Sequence, residues 1–189
     1  MTVGIFGGSF NPVHNGHLMV AKTIVERNIA GEVWLTVSPL NPIKKDPECL
    51  LPDRERMEMA RLAVEDISGL KASDIELTLP RPSYTITTLR TLSELYPNYT
   101  FRLIIGSDNM LIFDRWKDHD EIMRLYTPIV YPRPGYECDI ALKDFPEMEI
   151  SSTEIRERLK NNQPVDTLLP QNVYHYIKQY HLYGVTDTE

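Results

Sequence analysis

The sequence predicts an α/β fold, with a Rossmann-like doubly wound parallel sheet, helices on both faces and a small C-terminal helical part. Short apolar segments alternate with segments of helical periodicity along most of the chain. The run "FRLII", Phe101–Ile105, is mostly apolar, as expected of a central strand in a parallel sheet. Two long loops that contain prolines, residues 38–51 and 131–146, follow predicted strands, and ligands bind at such loops in open α/β sheets.

Individual elements follow from residue type and spacing. β-branched, aromatic or apolar runs predict five strands: Thr2–Phe6, Glu32–Val37, Asp74–Leu79, Phe101–Ile105 and Pro128–Tyr131. Helical spacing predicts helices from Leu18 to Ile29, Pro52 to Ile67, Ile86 to Tyr96, Asp120 to Tyr126, Ser151 to Lys160 and Pro170 to Tyr180. Gly184 is expected to end the last helix. We expect one domain, residues 1–189, with its helical part at about 151–184.

Bulk composition restricts the class of partner. The chain has 189 residues, 42% of them hydrophobic, and a formal charge of −7, so no overall positive field favours nucleic acid. Its two cysteines are far apart, which argues against a disulfide framework and a thiolate metal site. No apolar stretch approaches the length of a spanning helix, and no basic, apolar leader precedes the first strand. We therefore expect a cytoplasmic protein without a membrane partner. A homo-oligomer is left open.

The stretch "GGSFNPVHNGH" directly follows the first predicted strand. Gly7 and Gly8 allow a sharp turn and a close approach of the backbone to a ligand. Asn15 is expected to cap the next helix, whose positive end then carries His14 and His17 beside an anion. Neither a Walker loop nor a GxGxxG fingerprint is present. Two alternatives are a tight turn with surface histidines and a metal site built on the histidine pair.

A second stretch, "ISSTEIRERL", begins at Ile150. Ser151 and Glu154 form an S-x-x-E capping box, which predicts the start of a helix. Ser152 and Thr153 then offer hydroxyl and backbone N–H donors at its positive end, and Arg156 can form a bidentate contact with a phosphate. The alternative is an ordinary well-capped surface helix.

Together these stretches resemble the two signatures of the HxGH nucleotidyltransferase superfamily. Further segments resemble the bacterial nicotinate-mononucleotide adenylyltransferase family: "PSYTITTL", "IIGSDNM", "RW", "YPRPGY" and the closing "DTLLPQNVYHYIKQYHLYG". The resemblance covers essentially the whole chain. It implies that ATP and nicotinate mononucleotide are converted to nicotinate adenine dinucleotide and pyrophosphate, a step of NAD biosynthesis. It also implies Mg²⁺ bound mainly through the ATP phosphates.

The resemblance also implies roles for individual residues on the ATP side. The ATP phosphates would contact Gly7, Gly8, Ser9, Phe10, His14 and His17. Lys44 or Lys45, in "NPIKK", would neutralise the triphosphate, and Ser152, Thr153 and Arg156 would hold its β and γ phosphates. Gly106 and Asp108 would meet the adenosine ribose, although Asp108 is also a plausible turn residue. His14, His17, Lys44 and Arg156 form the implied catalytic set.

On the acceptor side, Tyr84 and Thr85 would present backbone N–H groups to the nicotinate carboxylate. Trp116 would stack on the pyridine ring, and Arg133 would lie near the mononucleotide. Each has a structural alternative: Tyr84 in packing, Thr85 as a cap, Trp116 in the core and Arg133 at the surface.

Two positions depart from the family pattern. Asn11 stands where most members have aspartate, and Ile43 stands where many have histidine; we expect both changes to affect fine tuning only. Two other functions remain open: a related adenylyltransferase such as one acting on phosphopantetheine, and a catalytically silent sensor of NAD precursors. The sequence does not decide between nicotinate and nicotinamide mononucleotide.

Overall fold

A five-stranded parallel sheet forms the centre of the protein, in a computed structural model that describes residues 1–39, 50–146 and 149–186. The strands are β1 (Thr2–Gly8), β2 (Glu32–Val37), β3 (Leu70–Ser73), β4 (Thr100–Gly106) and β5 (Ile129–Tyr131). Their order across the sheet is β3-β2-β1-β4-β5, and every neighbouring pair is parallel. This order confirms the Rossmann-like prediction.

Helices connect and cover the strands. In chain order they are α1 (Asn15–Glu26), α2 (Asp53–Val64), α3 (Ile75–Thr78), α4 (Thr85–Leu95), α5 (Ser107–Met110), α6 (His119–Tyr126), α7 (Ser152–Lys160) and α8 (Gln171–Gln179), with 3₁₀ turns at Phe113–Arg115 and Leu182–Gly184. Within the described ranges, no helix has the length and apolar character needed to cross a membrane.

The two faces of the sheet carry separate apolar cores. Side chains alternate along β1, so Val3 and Ile5 pack with the residues of α4 and α6, whereas Phe6 packs with those of α1, α2, α7 and α8. Ile86 and Ile24, one from each core, are fully buried. Burial on both faces explains why the strands are apolar without strict alternation.

The order of the strands reverses beside β1, since the chain moves from β1 outward to β2 and β3 and later returns to β4 on the other side. The loops that follow β1 and β4 therefore diverge to opposite sides and leave a crevice at the carboxyl ends of the strands. The first predicted motif lies in this position.

The predicted strand at Asp74–Leu79 is wrong. The third strand is β3, Leu70–Ser73, and Ile75–Thr78 forms a single helical turn. Alternation of Ile75, Leu77 and Leu79 with polar residues resembles a strand, whereas "LKAS" has little β propensity of its own. Its strand conformation depends on pairing with β2 over Val33–Thr36.

The C-terminal helices are anchored to the body by long-range contacts. The backbone N–H of Asn15 donates to the Leu168 carbonyl at 2.9 Å, and the Tyr176 hydroxyl donates to Glu55 at 2.6 Å. The prediction that Gly184 ends the last helix is wrong, because α8 ends at Gln179 and a separate 3₁₀ turn follows.

Candidate active site

The loop after β1 is supported by a buried aromatic ring. Phe10 is 2% exposed and has a φ of 45°. Its ring lies 5.0 Å from that of His17, between centroids, in an edge-to-face contact. A Cβ on Gly8 would come within 3.0 to 3.2 Å of the same ring, so a side chain at this position would have to displace the ring by a few tenths of an ångström. The side chain of Phe10, predicted to contact ATP phosphates, is thus part of the core.

Helix α1 begins at this loop, but the cap differs from the prediction. His14 occupies the N-cap position, and Asn15 is the first helical residue. The side-chain amide of Asn15 instead donates to the Thr167 carbonyl at 2.9 Å, which ties the helix start to the C-terminal part. No acidic residue lies in the first turn of α1, so nothing there offsets its positive end.

The two histidines of the first motif stack on each other, with ring centroids 3.6 Å apart. The backbone N–H of His14 donates to Nδ1 of His17 at 3.2 Å, so neutral His17 carries its proton on Nε2. Burial, and then the charge of Arg133, lower the pKa of His14 from 6.5 to about 3. His14 is therefore neutral at pH 7 in the unliganded protein.

The second motif meets the first. The Ser151 side chain accepts a hydrogen bond from the Glu154 N–H at 3.1 Å, which confirms the predicted cap of α7. Ser152 then donates to the Pro12 carbonyl at 3.0 Å, and Nη1 of Arg156 donates to the Asn11 carbonyl at 2.9 Å. Residues about 140 positions apart thereby share one wall of the site.

The starts of α1 and α7 open onto one cavity of about 300 Å³. Residues from both motifs line it together with the end of β5 and the loop that follows that strand: His14, Gly16, His17, Tyr131, Arg133, Ile150, Ser151 and Glu154. The cavity therefore combines two positive helix ends and the cation of Arg133 with two carboxylates, those of Glu149 and Glu154. The helix ends and the cation are the groups suited to contact a polyanionic ligand.

The carboxyl end of β4 contributes a group of three residues. Nε of Arg133 lies 3.8 Å from Oδ2 of Asp108, and Oδ1 of Asp108 is buried without a hydrogen-bond partner among the described atoms. A Cβ on Gly106 would clash with that Oδ1 and press on the Arg133 side chain at 3.1 Å. The structure thus groups Arg133 with residues assigned to ATP, whereas the sequence associated it with the mononucleotide.

The residues assigned to the acceptor lie at the start of α4 and after the 3₁₀ turn at Phe113–Arg115. Tyr84 is the N-cap and Thr85 the first residue of α4, which has no acidic residue in its first turn. Trp116 packs on Phe113, with 5.3 Å between ring centroids, and its buried Nε1 has no partner among the described atoms. Nζ of Lys117 lies 4.6 Å from the centre of the Tyr84 ring, which brings the two segments together.

Three further residues were missed in the sequence. Glu76 is buried near the start of α4, where it accepts a hydrogen bond from Ser83 at 3.3 Å, and burial raises the pKa of its carboxyl group. Arg56 is fully buried beside the loop after β1. Tyr183 donates to Oδ1 of Asn11 at 2.8 Å. No local motif identifies these residues. The contacts of Arg56 with Ser9 and of Tyr183 with Asn11 join parts of the chain that are distant in sequence.

The contacts of Asn11 explain why an amide is accepted at this position. Its Oδ1 receives hydrogen bonds from the Tyr183 hydroxyl and, at 3.3 Å, from the Leu51 N–H. Both bonds need only an acceptor oxygen, which asparagine and aspartate share. Ile43, Lys44 and Lys45 lie outside the described residues. Within those residues, no group of three or more His, Cys, Asp or Glu side chains could hold a metal ion.

Comparison with known proteins gives consistent matches over the whole chain. A family model, cytidylyltransferase-like, matches residues 5–158. A Bacteroides thetaiotaomicron protein named "Probable nicotinate-nucleotide adenylyltransferase" is 43% identical over 99% of this chain and 96% of its own. A Bacteroides fragilis protein of the same name is 44% identical over 93% of this chain and 90% of its own. The Plasmodium falciparum nicotinic acid mononucleotide adenylyltransferase complexed with NaAD has a TM-score of 0.78 and 25% identity, with 98% of both chains covered.

Proposed function

The chain belongs to the nicotinate-nucleotide adenylyltransferase family, and we propose that it joins ATP and nicotinate mononucleotide to form nicotinate adenine dinucleotide and pyrophosphate. One observation in the structure supports this function for this chain in particular. The hydrogen bond of 2.9 Å between Arg156 and the Asn11 carbonyl brings the starts of α1 and α7 to one cavity. Two helix ends there supply the N–H donors that a triphosphate requires.

The reaction needs no nucleophile from the protein. The 5′-phosphate of the mononucleotide attacks the α-phosphorus of ATP, a new P–O bond forms, and the bond to the pyrophosphate oxygen breaks in line. Negative charge moves towards the leaving group as that bond breaks. The contribution of the protein is therefore to position both substrates and to place donors where the charge develops.

On the ATP side, His17 is the donor to the transferring phosphate. Its Nδ1 already accepts the His14 N–H at 3.2 Å, so Nε2 carries the proton that such a role requires. Arg156 binds the leaving phosphates. Its bonds to Asn11 and Thr153 use only two of its five N–H donors among the described residues. Magnesium would be bound mainly through the triphosphate and would offset its charge. Asp108, at the carboxyl end of β4, carries a carboxylate oxygen without a hydrogen-bond partner among the described atoms.

On the acceptor side, the first-turn N–H groups of α4 bind the nicotinate carboxylate. The positive end of an 11-residue helix with no acidic residue in its first turn favours a carboxylate over an uncharged amide. Trp116 offers an aromatic surface for the pyridine ring. Lys117, beside the Tyr84 ring, adds positive charge near the start of α4.

Release of pyrophosphate tests the proposal directly. The purified protein is incubated with Mg²⁺, ATP and, in separate reactions, nicotinate mononucleotide, nicotinamide mononucleotide or phosphopantetheine. We expect the highest kcat/KM with nicotinate mononucleotide. Higher turnover with phosphopantetheine would support the related adenylyltransferase, and nucleotide binding without turnover would support the silent sensor.

A matched pair of variants ties the activity to this site. Arg156→Lys removes the bidentate donor and should lower kcat/KM for ATP by a factor on the order of 10 to 100. Arg158→Lys lies on the same helix, where Arg158 pairs with Glu154 at 2.7 Å, and should stay within about twofold of the wild type. Equal effects of the two substitutions would contradict the role given to Arg156.

A further inference from the structure

Arg56 is a charged side chain with no exposed surface, in the first turn of α2. Its guanidinium group uses all five of its N–H donors. The acceptors are the carbonyl oxygens of Leu51, Ser9, Ser38 and Pro39, at 2.9, 2.6, 2.8 and 3.3 Å, and Oδ1 of Asp53 at 2.5 Å. Four of the five are main-chain atoms, so Arg56 holds backbone rather than other side chains.

These carbonyl groups belong to separate parts of the chain that meet at the carboxyl edge of the sheet. Ser9 lies in the glycine loop after β1, and Ser38 and Pro39 follow β2. The Ser38 N–H also donates to the Gly8 carbonyl at 2.9 Å. Arg56 and this bond together couple the loop after β2 to the phosphate-binding loop proposed above.

The packing of the hydrophobic core does not require an arginine at this position. A buried charge is unfavourable unless it is paired and hydrogen-bonded, and a hydrophobic side chain of similar size would often serve stability as well. Asp53 supplies the pairing charge and also binds Arg81 at 2.6 Å. Because all five donors are used, the arginine indicates a requirement to hold the backbone carbonyl groups in fixed positions.

We propose that Arg56 is a positioning residue for ATP, which fixes the carbonyl groups of Ser9 and Ser38 so that the N–H groups of the glycine loop face the phosphates. The inference rests on the function proposed above. Arg56 touches neither substrate in this proposal. Lysine cannot replace it, because one ammonium group has three donors at a single nitrogen and cannot span acceptors from four backbone positions.

The test compares Arg56→Lys with two control variants. Arg102→Lys makes the same chemical change at the opposite edge, where Nε of Arg102 donates to the Thr127 carbonyl at 2.9 Å. Leu92→Ala opens a cavity in the core about 10 Å along α4 from Thr85 and lowers stability without touching the loops. Measured quantities are kcat, KM for each substrate, the thermal midpoint, and the Kd of a non-hydrolysable ATP analogue.

For Arg56→Lys we expect the analogue to bind at least tenfold more weakly and KM for ATP to rise similarly. KM for nicotinate mononucleotide should stay within about threefold, since the start of α4 is untouched. Both controls should keep wild-type KM values even where Leu92→Ala melts as early as Arg56→Lys. A lowered thermal midpoint with unchanged ATP binding in Arg56→Lys would overturn the proposal and leave Arg56 a purely structural role.

A second pair keeps the test decisive where Arg56→Lys does not fold. Asp53→Asn removes the charge that orients Nη2 of Arg56, whereas Arg81→Gln removes only the outer partner of the same carboxylate. The analogue should bind two- to fivefold more weakly to Asp53→Asn and normally to Arg81→Gln. Equal, wild-type binding by both would refute the positioning role. Absence of turnover by the wild-type protein would refute the enzymatic function alone, because analogue binding is read independently.

Discussion

A fall in pH from 7 to 5 should destabilise the unliganded protein through His14. Burial and then Arg133 lower the pKa of this imidazole from 6.5 to about 3 in the folded chain. The unfolded chain therefore takes up a proton between these values that the folded chain refuses. The stabilising contribution of neutral His14 is complete above pH 6.5 and is lost as the pH falls towards 3.

The size of the effect follows from the same two values. Inside the window each pH unit removes up to about 1.4 kcal/mol from the free energy of unfolding. Integrated from pH 7 to pH 5, the loss is roughly 2 kcal/mol. For a chain of 189 residues this corresponds to a fall in the thermal midpoint of about 4 to 8 °C.

Calorimetric unfolding of the wild type and His14→Asn at pH 7 and pH 5, in buffers without phosphate, measures this contribution. Asparagine is favourable at the N-cap, so the variant should fold. The difference between the two proteins isolates His14 from other groups, including Glu76, whose raised pKa stabilises the folded state as the pH falls. If the midpoints of both proteins shift by the same amount between the two pH values, His14 is not the neutral buried group described here.

Three other predictions concern catalysis and binding. His17→Ala should lower kcat by a factor on the order of 10² to 10⁴ with the thermal midpoint little changed, because it removes a donor to the transferring phosphate; near-normal turnover would exclude that role. Trp116→Ala should weaken binding of nicotinate mononucleotide, measured by titration calorimetry, by roughly 1 to 3 kcal/mol, and unchanged affinity would return Trp116 to the core. Gly106→Ala should raise KM for ATP by on the order of tenfold, since the added Cβ displaces Asp108, and a wild-type KM would show that this carboxylate is not needed there.

Several features of the fold follow from short segments alone. The cap of α7 depends on Ser151 and Glu154, three residues apart, and the start of α4 was predicted to within one residue, at Ile86 where the helix begins at Thr85. Such contacts form between residues within one helical turn, so the residues that make them can be identified in the sequence. The alternation of strands and helices is encoded in the same local way, which is why the Rossmann-like class was predicted correctly.

Local patterns failed where distant partners decide the conformation. The segment "LKAS" becomes β3 only because β2 offers it backbone partners, and the more strand-like residues after it form a helical turn. His14 rather than Asn15 caps α1, because the side-chain amide of Asn15 donates a hydrogen bond to the Thr167 carbonyl, 152 residues away. Propensity is a weak preference that tertiary hydrogen bonds readily override.

By itself the sequence determined the fold class, the two motifs at the starts of α1 and α7 and the family that they resemble, since each of these depends on residues close together in the chain. Only the tertiary structure decided that Arg156 reaches Asn11, that Arg133 lies with Asp108, and that Arg56 holds two loops. These contacts depend on the order of strands in the sheet, which brings distant loops to one edge. Their energies come from donors and acceptors that meet only after the chain has folded.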